Sequence, residues 1–109
     1  MSYKACHRFA KISPTKIRRV ADLIRKKPVQ EALESLQFLP NKGARMLEKV
    51  LRSAVANAED KGARRIEDLK VTEARIDEGP RMKRFQPHAR GTAFGIIKRF
   101  SHIHVEIDV

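Results

Sequence analysis

Twenty consecutive residues of this chain, Pro80 to Arg99 (PRMKRFQPHARGTAFGIIKR), hold six Lys or Arg, one His and no Asp or Glu. Arg81, Lys83, Arg84, Arg90, Lys98 and Arg99 repel one another and have no acid within the stretch to pair with. The interleaved Pro, Gly, Phe and Ile are too few to bury a core of their own. The folded core must therefore come from the rest of the chain, and the arm must be completed by a polyanion from outside.

The remaining residues can supply one modest core. The chain has 109 residues, 41% of them apolar, which argues for a single domain over 1–109 with 79–99 as its basic arm. Charge is distributed in blocks. Residues 1–28 carry nine cations and one acid, and residues 29–80 carry nine cations and ten acids, so two basic ends flank a neutral middle. A formal charge of +11 on so small a chain is the footprint of a nucleic-acid binder, with a membrane surface as the second polyanion to consider. No apolar run approaches a membrane span, and Lys4, Arg8 and Lys11 interrupt any signal-peptide core. The single cysteine, Cys6, excludes an intramolecular disulfide framework, so a reducing, cytoplasmic setting is expected.

Hydrophobic spacing predicts three helices. Ser13-Pro14 offers a cap and a first-turn proline, followed by Ile17, Val20, Ala21 and Ile24 at i, i+3, i+4, i+7. Pro28 closes that helix and opens a second with the stripe Val29, Ala32, Leu33, Leu36. Asn41 can cap a third and longer helix with Leu47, Val50, Leu51, Ala54 and Ala58 on one face, and Lys61-Gly62 provides its stop. The period then changes. Ile103, Val105, Ile107 and Val109 alternate with His102, His104, Glu106 and Asp108 as in a half-buried strand. Leu69–Glu78 reads as its partner and Lys4–Ile12 as an edge strand. The expected fold is α+β: three helices packed on a small antiparallel sheet, with a long protruding β-hairpin. Pairing of the two later strands is centred near Ala89, with Gly79-Pro80 as the bend into the hairpin and Arg90-Gly91 at its turn.

Chemistry-bearing constellations are scarce. His102 and His104 share a strand face with Glu106, but two histidines without a third convergent ligand do not make a metal site, and none is expected. Near RNA, His102 and His104 can instead donate to phosphate or sugar oxygens. Cys6 and His7 are neighbours on a strand and point to opposite faces, so Cys6 is expected as a buried or half-buried thiol. Asp77-Glu78 could hold Mg²⁺ for a nuclease only with a third acid. No P-loop, RNA-recognition aromatic pair, zinc-ligand set or Ser-His-Asp arrangement is readable, so neither a cofactor nor an enzymatic activity is expected.

Four segments, in order, carry a resemblance: ISPTKIRRVADLIRKKPVQEAL, PNKGARMLEKVLRSAVANAE, DEGPRMKRFQPHARG and IIKRFSHIHV. The chain resembles the L-twenty-two family of large-subunit ribosomal proteins over essentially its full length. The resemblance implies a globular domain seated on large-subunit rRNA near the exit of the nascent-peptide tunnel, with the hairpin running inward as part of the tunnel wall. By the same likeness, Met82, Lys83 and Arg84 match the segment beside the tunnel constriction, and Pro87, Arg90 and Gly91 the segment toward the tip. Ser13, Pro14, Lys16, Arg18, Asn41 and Lys42 match the RNA-facing side of the globular part. Two residues depart from the family pattern: Thr92 stands where a basic or amide residue is usual, and Phe100 where Thr is usual.

The expected RNA-contacting set is thus Ser13, Pro14, Lys16, Arg18, Arg19, Asn41 and Lys42 on the globular side, and Arg81, Met82, Lys83, Arg84, Pro87, His88, Arg90, Gly91, Lys98, Arg99 and His102 on the hairpin and its base. The expected partners are large-subunit rRNA, neighbouring ribosomal proteins and the nascent polypeptide, with no membrane span. A free DNA-binding protein and a small nuclease are the rival readings, separated from the first by preference for structured rRNA and by RNA cleavage with Mg²⁺, respectively.

Overall fold

The computed structural model describes residues 2–63, 65–87 and 93–108, with the side chains of 66 and 81–98 outside that description. Its elements follow the order β1 (Tyr3–Ala10), α1 (Pro14–Ile24), α2 (Val29–Phe38), α3 (Lys42–Asp60), a 3₁₀ turn (Ile66–Asp68), β2 (Lys70–Pro87) and β3 (Ala93–Asp108). The three strands form one antiparallel sheet in the order β1-β3-β2. The α+β architecture expected from the spacing is present, and β1 is the edge strand read from Lys4–Ile12.

The helices form where apolar residues recur on one face, and those faces are buried. Ile17, Val20, Ala21 and Ile24 of α1, Val29, Ala32 and Leu36 of α2, and Leu47, Val50, Leu51, Ala54 and Ala58 of α3 all lie in the core. They close over one face of the sheet, where Val71, Ala74, Ile76, Ile103, Val105 and Ile107 are buried. Each large aliphatic side chain so removed from water contributes about 1.5–3 kcal/mol, which makes this stripe-on-sheet layer the main source of stability. Helix α3 ends as a Schellman motif: the Gly62 N–H donates to the Glu59 carbonyl, the Ala63 N–H to the Ala58 carbonyl, and Gly62 takes φ +81.

The hairpin register mirrors about position 89 only at the sheet end, where Lys70 pairs with Asp108; beyond Arg81↔Arg99 it mirrors about position 90. Two irregularities in β2 cause the drift. One lies at Thr72, whose hydroxyl donates to the Glu106 carbonyl at 3.1 Å, and the other at Gly79-Pro80, where proline has no amide for the ladder. Strand β1 stops pairing at Ala10↔Ser101, so the backbone beyond Gly79 is a ribbon of two strands only. The radius of gyration is 16.9 Å and the longest extent 63 Å, against roughly 13 Å for a compact chain of this length. Arg90-Gly91, expected at the turn, lie outside the described residues.

Cys6 is exposed, in contrast to the expected buried or half-buried thiol. It sits opposite His104 on the sheet face away from the helices, where no layer covers it.

Candidate nucleic-acid interface

Helices α1 and α3 begin side by side. Ser13 and Asn41 hold the extended conformation of N-cap residues, yet neither side chain makes a capping hydrogen bond, and neither helix has an acid in its first turn. The expected cap positions are therefore right, but the expected cap bond is not made. Amide donors at both starts are left unserved by their own side chains, and the two positive dipole ends add. Close approach is possible because Gly43 has no side chain: a Cβ there would lie 3.3 Å from Ile12 Cδ1 and 3.5 Å from the Ile17 backbone.

Between the two starts opens a cleft of about 500 Å³ lined by Ile12, Thr15, Lys16, Arg19, Asn41, Lys42 and Gly43. Its charged lining is wholly cationic, and Lys16, Arg19 and Lys42 are exposed at its rim. Lys42 Nζ also donates to the Lys11 carbonyl at 3.3 Å, which ties the start of α3 to the turn after β1. Helix amides, a hydroxyl and three cations around one concavity form the chemistry that receives phosphate.

Four of the seven globular residues expected at RNA, namely Lys16, Arg19, Asn41 and Lys42, meet at this cleft. The other three sit differently. Ser13 is half-buried, and Pro14 is buried at the first turn of α1, so its part is to start the helix rather than to present surface. Arg18 donates from its guanidinium to the Ile76 carbonyl at 3.2 Å, and Arg25 from Nε to the Ala74 carbonyl at 3.0 Å. These two arginines clamp α1 to the outer edge of β2, a role that charge alone does not reveal. The connection from α1 to α2 completes the cover, with the Lys26 N–H donating to the Val71 carbonyl and the Val71 N–H to that of Lys27.

At the base of the ribbon Arg99 is exposed and stands directly opposite Arg81 in register, with Met82 opposite Lys98. Like charges at opposed positions destabilise a two-stranded ladder unless a counter-charge is supplied. Lys83, Arg84 and Pro87 continue the same strand, opposite Ile97, Ile96 and Ala93. His88, Arg90 and Gly91 fall outside the described residues.

The helix-free face of the sheet has a different character. Arg75 lies 3.4 Å from Glu73 and 3.2 Å from Asp77, and His104 Nε2 lies 3.2 Å from the other Asp77 oxygen and 4.0 Å from Cys6 Sγ. Arg75 there is matched by Glu73 and Asp77, while exposed Lys4 and Arg8 line the same face beside Cys6. His102 is half-buried, and its Nδ1 accepts the Phe9 N–H at 3.1 Å, so the two imidazoles serve different partners. Among the described residues, no three His, Cys, Asp or Glu are placed to hold a metal ion, and no helix is long and apolar enough to cross a membrane.

A family model for ribosomal protein L22p/L17e matches residues 5–108. The large ribosomal subunit protein uL22 of Rhodopirellula baltica is 52% identical over 108 residues, covering 94% of this chain and 91% of that protein. Its counterpart in Caldicellulosiruptor saccharolyticus is 53% identical over 98 residues, covering 90% of this chain and 80% of that protein. The chain belongs to the ribosomal protein L22p/L17e family.

Proposed function

We propose that this protein is a structural constituent of the large ribosomal subunit in the cytoplasm, where it binds large-subunit rRNA and its ribbon lines the nascent-peptide exit tunnel. Residues 1–109 act as one folded unit, with 79–99 as the inserted arm. The observation that carries this reading is the junction of the cationic cleft with the base of the ribbon: Ile12, which lines the cleft, accepts a hydrogen bond from Ser101, two residues from Arg99. One continuous RNA surface can therefore engage the cleft and deliver the ribbon. Phosphate neutralisation supplies affinity through counterion release, and the shape of the folded part fixes which RNA segments meet around it. The neighbouring large-subunit proteins and the nascent polypeptide are the further partners, and the role is architectural rather than catalytic.

Sedimentation of ribosomal subunits on a gradient tests the placement, with the protein expected in the large-subunit fraction. A photo-reactive amino acid at position 83 tests the tunnel, because it should capture a stalled nascent chain. Absence from the large subunit would refute the first part, and capture of rRNA alone would refute the second.

A further inference from the structure

Strand β1 contains a bulge between His7 and Ala10, where three steps of β1 span two of β3. Phe9 sits in this bulge at φ 58, the left-handed region that glycine occupies without strain and that a bulky side chain enters rarely. The ring gains little from folding in return, since Phe9 remains 58% exposed. Two features hold it there: its N–H donates to His102 Nδ1 at 3.1 Å, and its ring meets the His102 ring edge to face, with centroids 5.0 Å apart and planes at 86°. Whichever ring presents its edge, at least one face of Phe9 stays uncovered.

We propose that Phe9, buttressed by His102, is a stacking platform for one unpaired nucleobase of the bound RNA. The proposal rests on the rRNA-binding reading above and adds to it a base-stacking interaction, distinct from the phosphate binding of the cleft. Charge favours this occupant. Arg8 and Lys11 lie on either side of Phe9 in the sequence and are exposed, Arg99 is exposed at the base of the neighbouring ribbon, and the first acid in the chain is Asp22. Asp77, opposite His102 in register, is engaged by Arg75 and His104. The tautomer that accepts the Phe9 amide carries its proton on Nε2, which gives the platform a hydrogen-bond donor beside its π face. An exposed aromatic ring among cations is the arrangement by which single-stranded RNA is gripped, because every base offers a π face while phosphates meet the cations.

The test measures affinity of the full chain for transcribed large-subunit rRNA across a salt series, for the unsubstituted protein, F9L and F9W. Removing the stack while every phosphate stays neutralised predicts that F9L binds about five- to 150-fold more weakly, with an unchanged slope of log affinity against log salt. The chain has no tryptophan, so the indole of F9W is a sole reporter, and its emission should be quenched as RNA saturates the protein. Wild-type affinity in F9L, or unquenched indole emission in an RNA-saturated F9W, would overturn the platform while leaving the rRNA reading standing. Failure of the unsubstituted chain to bind would bring down both.

Discussion

The Ser101 hydroxyl is fully buried and donates to the Ile12 carbonyl at 2.7 Å, joining the centre of the sheet to the turn that begins α1. Among the described side chains it is the buried polar group of the core, and its bond lets the chain leave β1 without stranding a carbonyl. S101A should therefore cost about 1–3 kcal/mol, the penalty of an unsatisfied buried acceptor, read as a lower urea midpoint at unchanged m-value. A midpoint equal to that of the unsubstituted protein would show that water replaces the hydroxyl at no cost.

Gly79 lies where the sheet becomes a ribbon, and a Cβ there would come within 2.9 Å of the Phe100 carbonyl oxygen and 3.0 Å of its carbon. Backbone cannot yield as a flexible side chain does. G79A should destabilise the protein by roughly 1–3 kcal/mol and shift amide resonances of Glu78 and Ser101. An unperturbed spectrum would mean that the two strands are further apart at this point.

Exposed Lys16 and Arg19 serve the cleft and not the core. K16A/R19A should leave the thermal midpoint within experimental error while lowering the slope of log affinity for rRNA against log salt by about 0.7 to 0.9 for each phosphate no longer neutralised. Weaker binding with an unchanged slope would mean that these residues do not meet phosphate.

Strand β3 is flanked on both sides from Ser101 onward but only by β2 in the ribbon. Two-stranded ribbons are marginal in water, so in the RNA-free protein amides of residues 81–86 should exchange faster than those of residues 74–77. Bound RNA should slow them. Equal protection in the free protein would show that the ribbon holds its own shape.

Much of this architecture is legible in the sequence because it rests on local signals. Pro14, Pro28, Asn41 and Gly62 mark helix ends by backbone restrictions that need no tertiary partner, and the apolar stripes name the core directly. The cationic residues at the two helix starts are likewise visible as types, but their convergence depends on Gly43 allowing two helices to touch, which no spacing rule conveys. Arg18 and Arg25 read as ordinary surface charge; only the packing of α1 against the β2 edge turns them to backbone carbonyls. The bulge at Phe9 is equally silent. It is set by the register between strands some ninety positions apart, and the residue that occupies it is not the glycine that would announce it. The exposure of Cys6 has the same origin, since the layer missing from one face of a sheet is a property of the whole fold.

The strand order β1-β3-β2 also has a meaning in time. Tyr3 pairs with Ile107, so β1 waits for β3 before it has a strand to pair with, and β2 waits with it. The helices can form earlier, but the sheet on which their apolar faces close cannot, because its central member is absent. A ribosome making this protein therefore carries a basic chain whose outer strands are unpaired until β3 has emerged, and the barrier to folding is the closure of a loop about a hundred residues long.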